Sequence, residues 1–138
     1  MEFALLAASP FSPAERCVSA EAAKCARRTG ATVVAVTSQA YSSEAAKGRE
    51  RLADVADVVL DNRVPPGDAT VPVGADGRAG PLSTVAGAAL LNALFVEASA
   101  RLAAEGAEPP VYVSSNMPGA AGRNAELVAR FRPRNPHR

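Results

Sequence analysis

Gly30-Ala31-Thr32-Val33-Val34-Ala35-Val36-Thr37-Ser38 decides how the rest of the chain reads. Residues 32–37 are β-branched and small, the composition of a buried strand. The segment before them starts at Pro13, suited to a first helical turn, with Ser12 as N-cap and Glu15 near the positive helix end. Val18, Ala22 and Cys25 form one apolar stripe, Lys24, Arg27 and Arg28 crowd the last turn, and Gly30 supplies the stop. Further upstream, residues 3–8 are a short apolar run closed by Ser9-Pro10. Strand, helix and strand within 37 residues is the size of a βαβ unit, which predicts parallel strands and a right-handed crossover.

Downstream, residues 38–43 read as a polar loop, 44–55 as a helix and 57–60 as a third strand. Residues 61–82 hold four prolines and four glycines and little regular pattern. Val71 to Val73 is a candidate edge strand, since Pro72 is unwelcome in a central one, and Gly74-Ala75-Asp76-Gly77 reads as a tight turn. Residues 83–105 form the best-defined helix. Its first half is apolar nearly all round, which predicts a place between the sheet and another surface; its second half carries Glu97, Arg101 and Glu105 as an i,i+4 ladder. Val111-Tyr112-Val113 predicts a fourth strand, residues 124–131 a last helix, and 132–138 a basic tail. The expectation is therefore an α/β fold: one domain over residues 1–138, a parallel sheet of about four strands and helices on both faces.

Composition bounds the rest. The 138 residues are 48% hydrophobic but only 4% aromatic, with no Trp, so Ala, Val and Leu must build the core. Fifteen basic against fourteen acidic residues exclude a general field that draws the chain to nucleic acid or an anionic membrane. Cys17 and Cys25 lie about 12 Å apart along one helix, beyond the roughly 7 Å that a disulfide spans; they read as small core or half-buried thiols. The apolar starts at residues 3–8 and 85–96 are too short for a membrane span, and no basic secretory start precedes the first. A cytoplasmic protein without metal or cofactor is expected.

In parallel sheets ligands sit beyond the carboxyl ends of the strands. Three such ends carry hydroxyls here: Ser9, Thr37-Ser38 and Ser114-Ser115. Ser and Thr also cap whatever follows a strand, so both readings stand. His137 is the only histidine and lies in the tail, and no catalytic triad, Walker loop or fixed pair of carboxylates is legible. Asp61 and Asp68 flank the Pro-rich loop and read as solvated acids. The basic tail reads as a solvated terminus, with an anion clamp and a weak nucleic-acid arm as the alternatives.

Residues 30–38 with Ala40-Tyr41-Ser42 resemble the central strand and loop of sugar isomerase (SIS) domains. Ala56-Asp57-Val58-Val59-Leu60-Asp61-Asn62, Val64-Pro65-Pro66-Gly67-Asp68-Ala69, Gly80-Pro81-Leu82-Ser83-Thr84 and Pro110-Val111-Tyr112-Val113-Ser114-Ser115-Asn116 follow in order, similar to a bacterial group of SIS-domain proteins. The match runs over about residues 30–131. It implies a flavodoxin-like sheet, a sugar phosphate ligand, aldose–ketose isomerisation in some members and a homodimer. It implies as site residues Ser9, Ser12, Thr37, Ser38, Ser83 and Thr84, the last two also explicable as a helix cap. Complete members are longer at the N-terminus, so the chain reads as the C-terminal portion of such a domain. In place of their Ser-x-Ser-Gly loop stands Ser9-Pro10-Phe11-Ser12-Pro13, where prolines remove amide donors. Val85 stands where some isomerases have lysine, and their acid–base Glu and His have no counterpart here. A non-catalytic assembly protein built around residues 85–96, or a truncated gene product, are the alternatives.

Overall fold

The computed structural model describes residues 3–7 and 13–134. In chain order the elements are β1 (Phe3–Ala7), α1 (Pro13–Arg28), β2 (Thr32–Thr37), α2 (Gln39–Ala46), α3 (Leu52–Val55), β3 (Val58–Asp61), β4 (Ala69–Val73), β5 (Gly77–Pro81), α4 (Leu82–Ala104) and α5 (Ala120–Phe131). They divide into two compact units, Met1–Asn92 and Ala93–Arg138.

The first unit is the α/β fold. β1, β2 and β3 form a parallel sheet with β2 in the centre. Phe3 pairs with Thr32 and Ala7 with Val36 on one side of β2; Val34 pairs with Val58 and Thr37 with Asp61 on the other. Val33 and Ala35, two residues apart, share a face, and both are buried against Ala20 and Ala23 of α1 and Leu52 and Val55 of α3. These small side chains let the helices lie close to the strand, as the scarcity of aromatics implied.

Polar contacts hold that arrangement. The Asp57 carboxylate accepts the Val33 N–H at 2.9 Å and pairs with Arg27 at 3.2 Å, while Arg27 also donates to the Val55 carbonyl. One acid thus ties the end of α1 to the α3–β3 turn and to the central strand.

Several boundaries differ from expectation for local reasons. The helix expected over 44–55 is two helices, and residues 38–43 are not a loop. The Ser38 hydroxyl caps α2 by accepting the Tyr41 N–H at 3.1 Å, which starts the helix at Gln39. Left-handed Lys47 and Gly48 then end it, and the Asp54 carboxylate, accepting the Arg51 N–H, opens α3. The irregular stretch over 61–82 contains a second, antiparallel sheet of β4 and β5. Its turn is the expected one, and Gly77 is needed there because a Cβ would lie 2.5 Å from the Val73 carbonyl oxygen. Among the described residues the parallel sheet has three strands rather than four. Val111-Tyr112-Val113 joins no ladder, because the Asn124 side-chain amide takes both the N–H and the carbonyl of Val113, at 3.0 and 2.8 Å.

Two burial expectations are overturned. Cys25 is exposed, on the outer side of α1; the side chain of Cys17 lies outside the described residues. No residue of α4 is buried, so it is not the sandwiched helix its composition predicts. In the second unit Ala120 and Leu127 of α5 are the buried apolar residues among those described.

Candidate functional site

Because β1, β2 and β3 are parallel, their carboxyl ends lie together, at Ala7, Thr37 and Asp61. Thr37 closes the central strand and is only 5% exposed. Among the described residues its hydroxyl makes no hydrogen bond, while its carbonyl accepts the Asn62 N–H at 3.1 Å. Ser38 beside it is also buried, its hydroxyl donating to the Val64 carbonyl at 2.6 Å and accepting from the Tyr41 N–H, which leaves it one acceptor position.

The start of α2 is faced by a carboxylate of the chain itself. Asp61 Oδ1 accepts the Gln39 N–H at 3.2 Å and the Arg63 N–H at 3.0 Å, and Oδ2 pairs with the Arg63 guanidinium at 3.3 Å. Arg63 is held left-handed by these contacts, with its side chain in solvent.

The start of α4 repeats the device. Asp68 is 4% exposed and accepts from Ser83 twice, from the N–H at 2.6 Å and from the hydroxyl at 2.8 Å. Its own carbonyl accepts the Leu82 N–H, so the entry to α4 is pinned from both sides. Val64 to Asp68 thereby link the Ser38 hydroxyl to the first turn of α4.

Of the expected site residues, Thr37 and Ser38 stand at the central strand end, and Ser83 and Thr84 are joined to it through that five-residue segment. Ser9 and Ser12 lie outside the described residues, as does His137. Ser38 and Ser83 each donate their proton inward and can meet a ligand only as acceptors. The hydroxyls of Thr37 and exposed Thr84 make no hydrogen bond to another described residue. Asp68 is the residue that sequence reasoning misplaced, as a solvated acid. Its signal was position, after a Pro-Pro-Gly turn and fifteen residues before the serine it holds.

A carboxylate at each helix start already satisfies amides that would otherwise attract an anion. Among the described residues no group of three His, Cys, Asp or Glu side chains is placed to hold a metal ion. A cavity of about 130 Å³ lies in the second unit, lined by Glu108, Arg123, Glu126, Leu127 and Arg130. It is well below the roughly 300–1,000 Å³ of small-molecule pockets.

The chain is 52% identical over 118 residues to a UPF0309 protein of Brucella anthropi. It is 50% identical over the same length to UPF0309 proteins of Brucella canis and Brucella melitensis. In each case 85% of this chain and 48% of the relative are covered, so the chain spans about half the length of the curated relatives it matches. No family model matches it.

Proposed function

We propose that this chain is a cytoplasmic phosphosugar-binding unit of the SIS type, related to sugar-phosphate aldose–ketose isomerases and working as a homodimer. The observation that carries the reading is the buried Thr37 hydroxyl at the end of the central parallel strand, with no hydrogen bond to another described residue. A buried hydroxyl without a partner costs about 1–3 kcal/mol, which a sugar hydroxyl or phosphate oxygen would relieve.

The carboxylates refine the arrangement. Asp61 and Asp68 repel a phosphate from the starts of α2 and α4, so the sugar hydroxyls belong on that side and the phosphate away from both carboxylates. Thr37 and Thr84 donate to the sugar; Ser38 and Ser83 accept from it. Moving a proton between adjacent sugar carbons needs a positioned base, which this reading leaves to groups outside the six residues named.

The test is a thermal melt of the chain with a panel of hexose, heptose and amino-sugar phosphates. At a hundredfold excess over the dissociation constant a true ligand stabilises by about 2.7 kcal/mol, several degrees in Tm. Thr37→Val should abolish the shift. A cooperative melt that no sugar phosphate moves would overturn the proposal.

A further inference from the structure

Among the side chains described in the first unit, a single cation stands beyond the carboxyl ends of the parallel strands. The basic residues that end α1 and those between α2 and α3 gather at the opposite, amino edge, where Lys24 pairs with Glu50 and Arg27 with Asp57. Arg78 belongs to the β4–β5 hairpin. Arg63 follows β3 by two residues and so lies on the edge where parallel sheets bind ligands.

Packing does not account for an arginine at this position. Its backbone is left-handed, with φ 57°, a conformation that glycine and asparagine adopt at less cost. Its side chain is 88% exposed and reaches Asp61 Oδ2 through Nε at 3.3 Å. The conformation is imposed by the residues on either side. Asp61 Oδ1 accepts the Arg63 N–H at 3.0 Å, and Asn62 Oδ1 accepts the Val64 N–H at 3.3 Å. Val64 is buried, with its carbonyl held by the Ser38 hydroxyl, and the Asn62 N–H donates to the Thr37 carbonyl. An unfavourable backbone fixed this thoroughly is the kind of strain that functional sites hold.

Asp61 also gives the guanidinium a direction. With Nε turned to the carboxylate, its terminal nitrogens make no hydrogen bond to another described residue. Such a fork binds phosphate oxygens through two parallel N–H bonds, which the point charge of a lysine cannot do. The Asp61 side chain is only 21% exposed, so an anion arriving from solvent meets the guanidinium before the carboxylate.

We infer that Arg63 binds the phosphate group of the ligand proposed above, on the side of its guanidinium away from Asp61, and that Asp61 positions it. The sugar part of that ligand rests on the preceding reading; the anion site rests on Arg63.

The test titrates inorganic phosphate, and separately the sugar phosphates of the melting panel, into the full isotope-labelled chain while following the Arg63 Nε–H resonance. The expected result is a saturable shift with both. Arg63→Asn should lose about tenfold or more in affinity for either probe while melting at or above the native temperature, because asparagine suits the left-handed backbone. Arg63→Lys, which keeps the charge and loses the fork, should bind with intermediate affinity. If a sugar phosphate moves the melt of Arg63→Asn as far as that of the native chain, the inference fails and the sugar reading stands. If inorganic phosphate shifts the Arg63 resonance while no sugar phosphate moves the melt, the anion site stands and the sugar reading fails. A resonance that neither probe shifts overturns the inference.

Discussion

At position 68 a carboxylate sits in a left-handed backbone conformation, buried, and holds the first turn of α4 by two bonds to Ser83. Asp tolerates this conformation better than most residues, so Asp68→Ala loses both the charge-assisted bonds and the backbone preference. We expect it to cost about 2–4 kcal/mol in urea unfolding. Asp68→Asn is the more informative change. Its amide can still accept from the Ser83 N–H while donating to the Ser83 oxygen, which turns the serine proton outward and removes a negative charge. If a sugar hydroxyl donates to Ser83, Asp68→Asn should weaken binding severalfold in calorimetric titration; unchanged affinity would put Ser83 outside the site. Thr37→Val removes a hydroxyl that bonds to no other described residue, so stability should stay within about 1 kcal/mol while ligand binding is lost. These contrasts mark what the sequence can tell about the site. Hydroxyls at strand and helix starts were visible as residue types at positions 37, 38, 83 and 84. Where each proton goes was not, because Val64 and Asp68, which receive two of them, come from a loop with no periodic pattern.

Elements are joined here by single polar residues rather than by large apolar surfaces, as a core of Ala, Val and Leu requires. Asp57 is the main example, linking β2, α1 and the α3–β3 turn. Asp57→Ala leaves the Val33 N–H without its acceptor and should destabilise by about 1–3 kcal/mol. Combined with Arg27→Ala, the loss should fall short of the sum of the two single changes. The start of α3 gives a pH signature. The Arg51 guanidinium, hydrogen-bonded to Asp54, holds that carboxyl below its ordinary range. Because the folded value is the lower one, the contribution is complete above the ordinary carboxylate range and disappears as pH falls through the folded value. The Tm difference between the native chain and Asp54→Asn should therefore narrow steadily on acidification below about pH 4. It should remain small throughout, because the pair is part-exposed. Strand β2 and helices α1 and α4 were legible because their periodicity or β-branched content is continuous. The α2–α3 break was not, since it rests on Lys47 adopting a left-handed conformation. The strand expected at 111–113 failed for a similar reason: a side chain eleven residues away competes for its backbone.

Across the whole chain, stability should be uneven. In the first unit β2 is bonded on both sides and buries Val33, Ala35 and Val36, with α1 and α3 packed on it. The second unit buries Ala120 and Leu127 among its described residues and secures Val113 through the Asn124 amide. Fewer buried contacts mean a lower free energy of local opening. The amides of α5 should therefore exchange well before those of β2 in the isolated chain. Composition hid this imbalance, because a helix that is apolar all round normally reads as the middle of a core, and α4 was expected to supply one. With α4 unburied, the apolar content of the sequence overstates what the fold encloses. Leu127→Ala separates the two units most directly. Removing a buried leucine costs about 2–5 kcal/mol in a closed core, and the lower end applies where only one other buried apolar residue stands on the same helix. We expect faster exchange throughout α5 and no change in β2. Equal acceleration in both would mean that the chain opens as one cooperative body, and that the Ala and Val core of the sheet draws stability from α5.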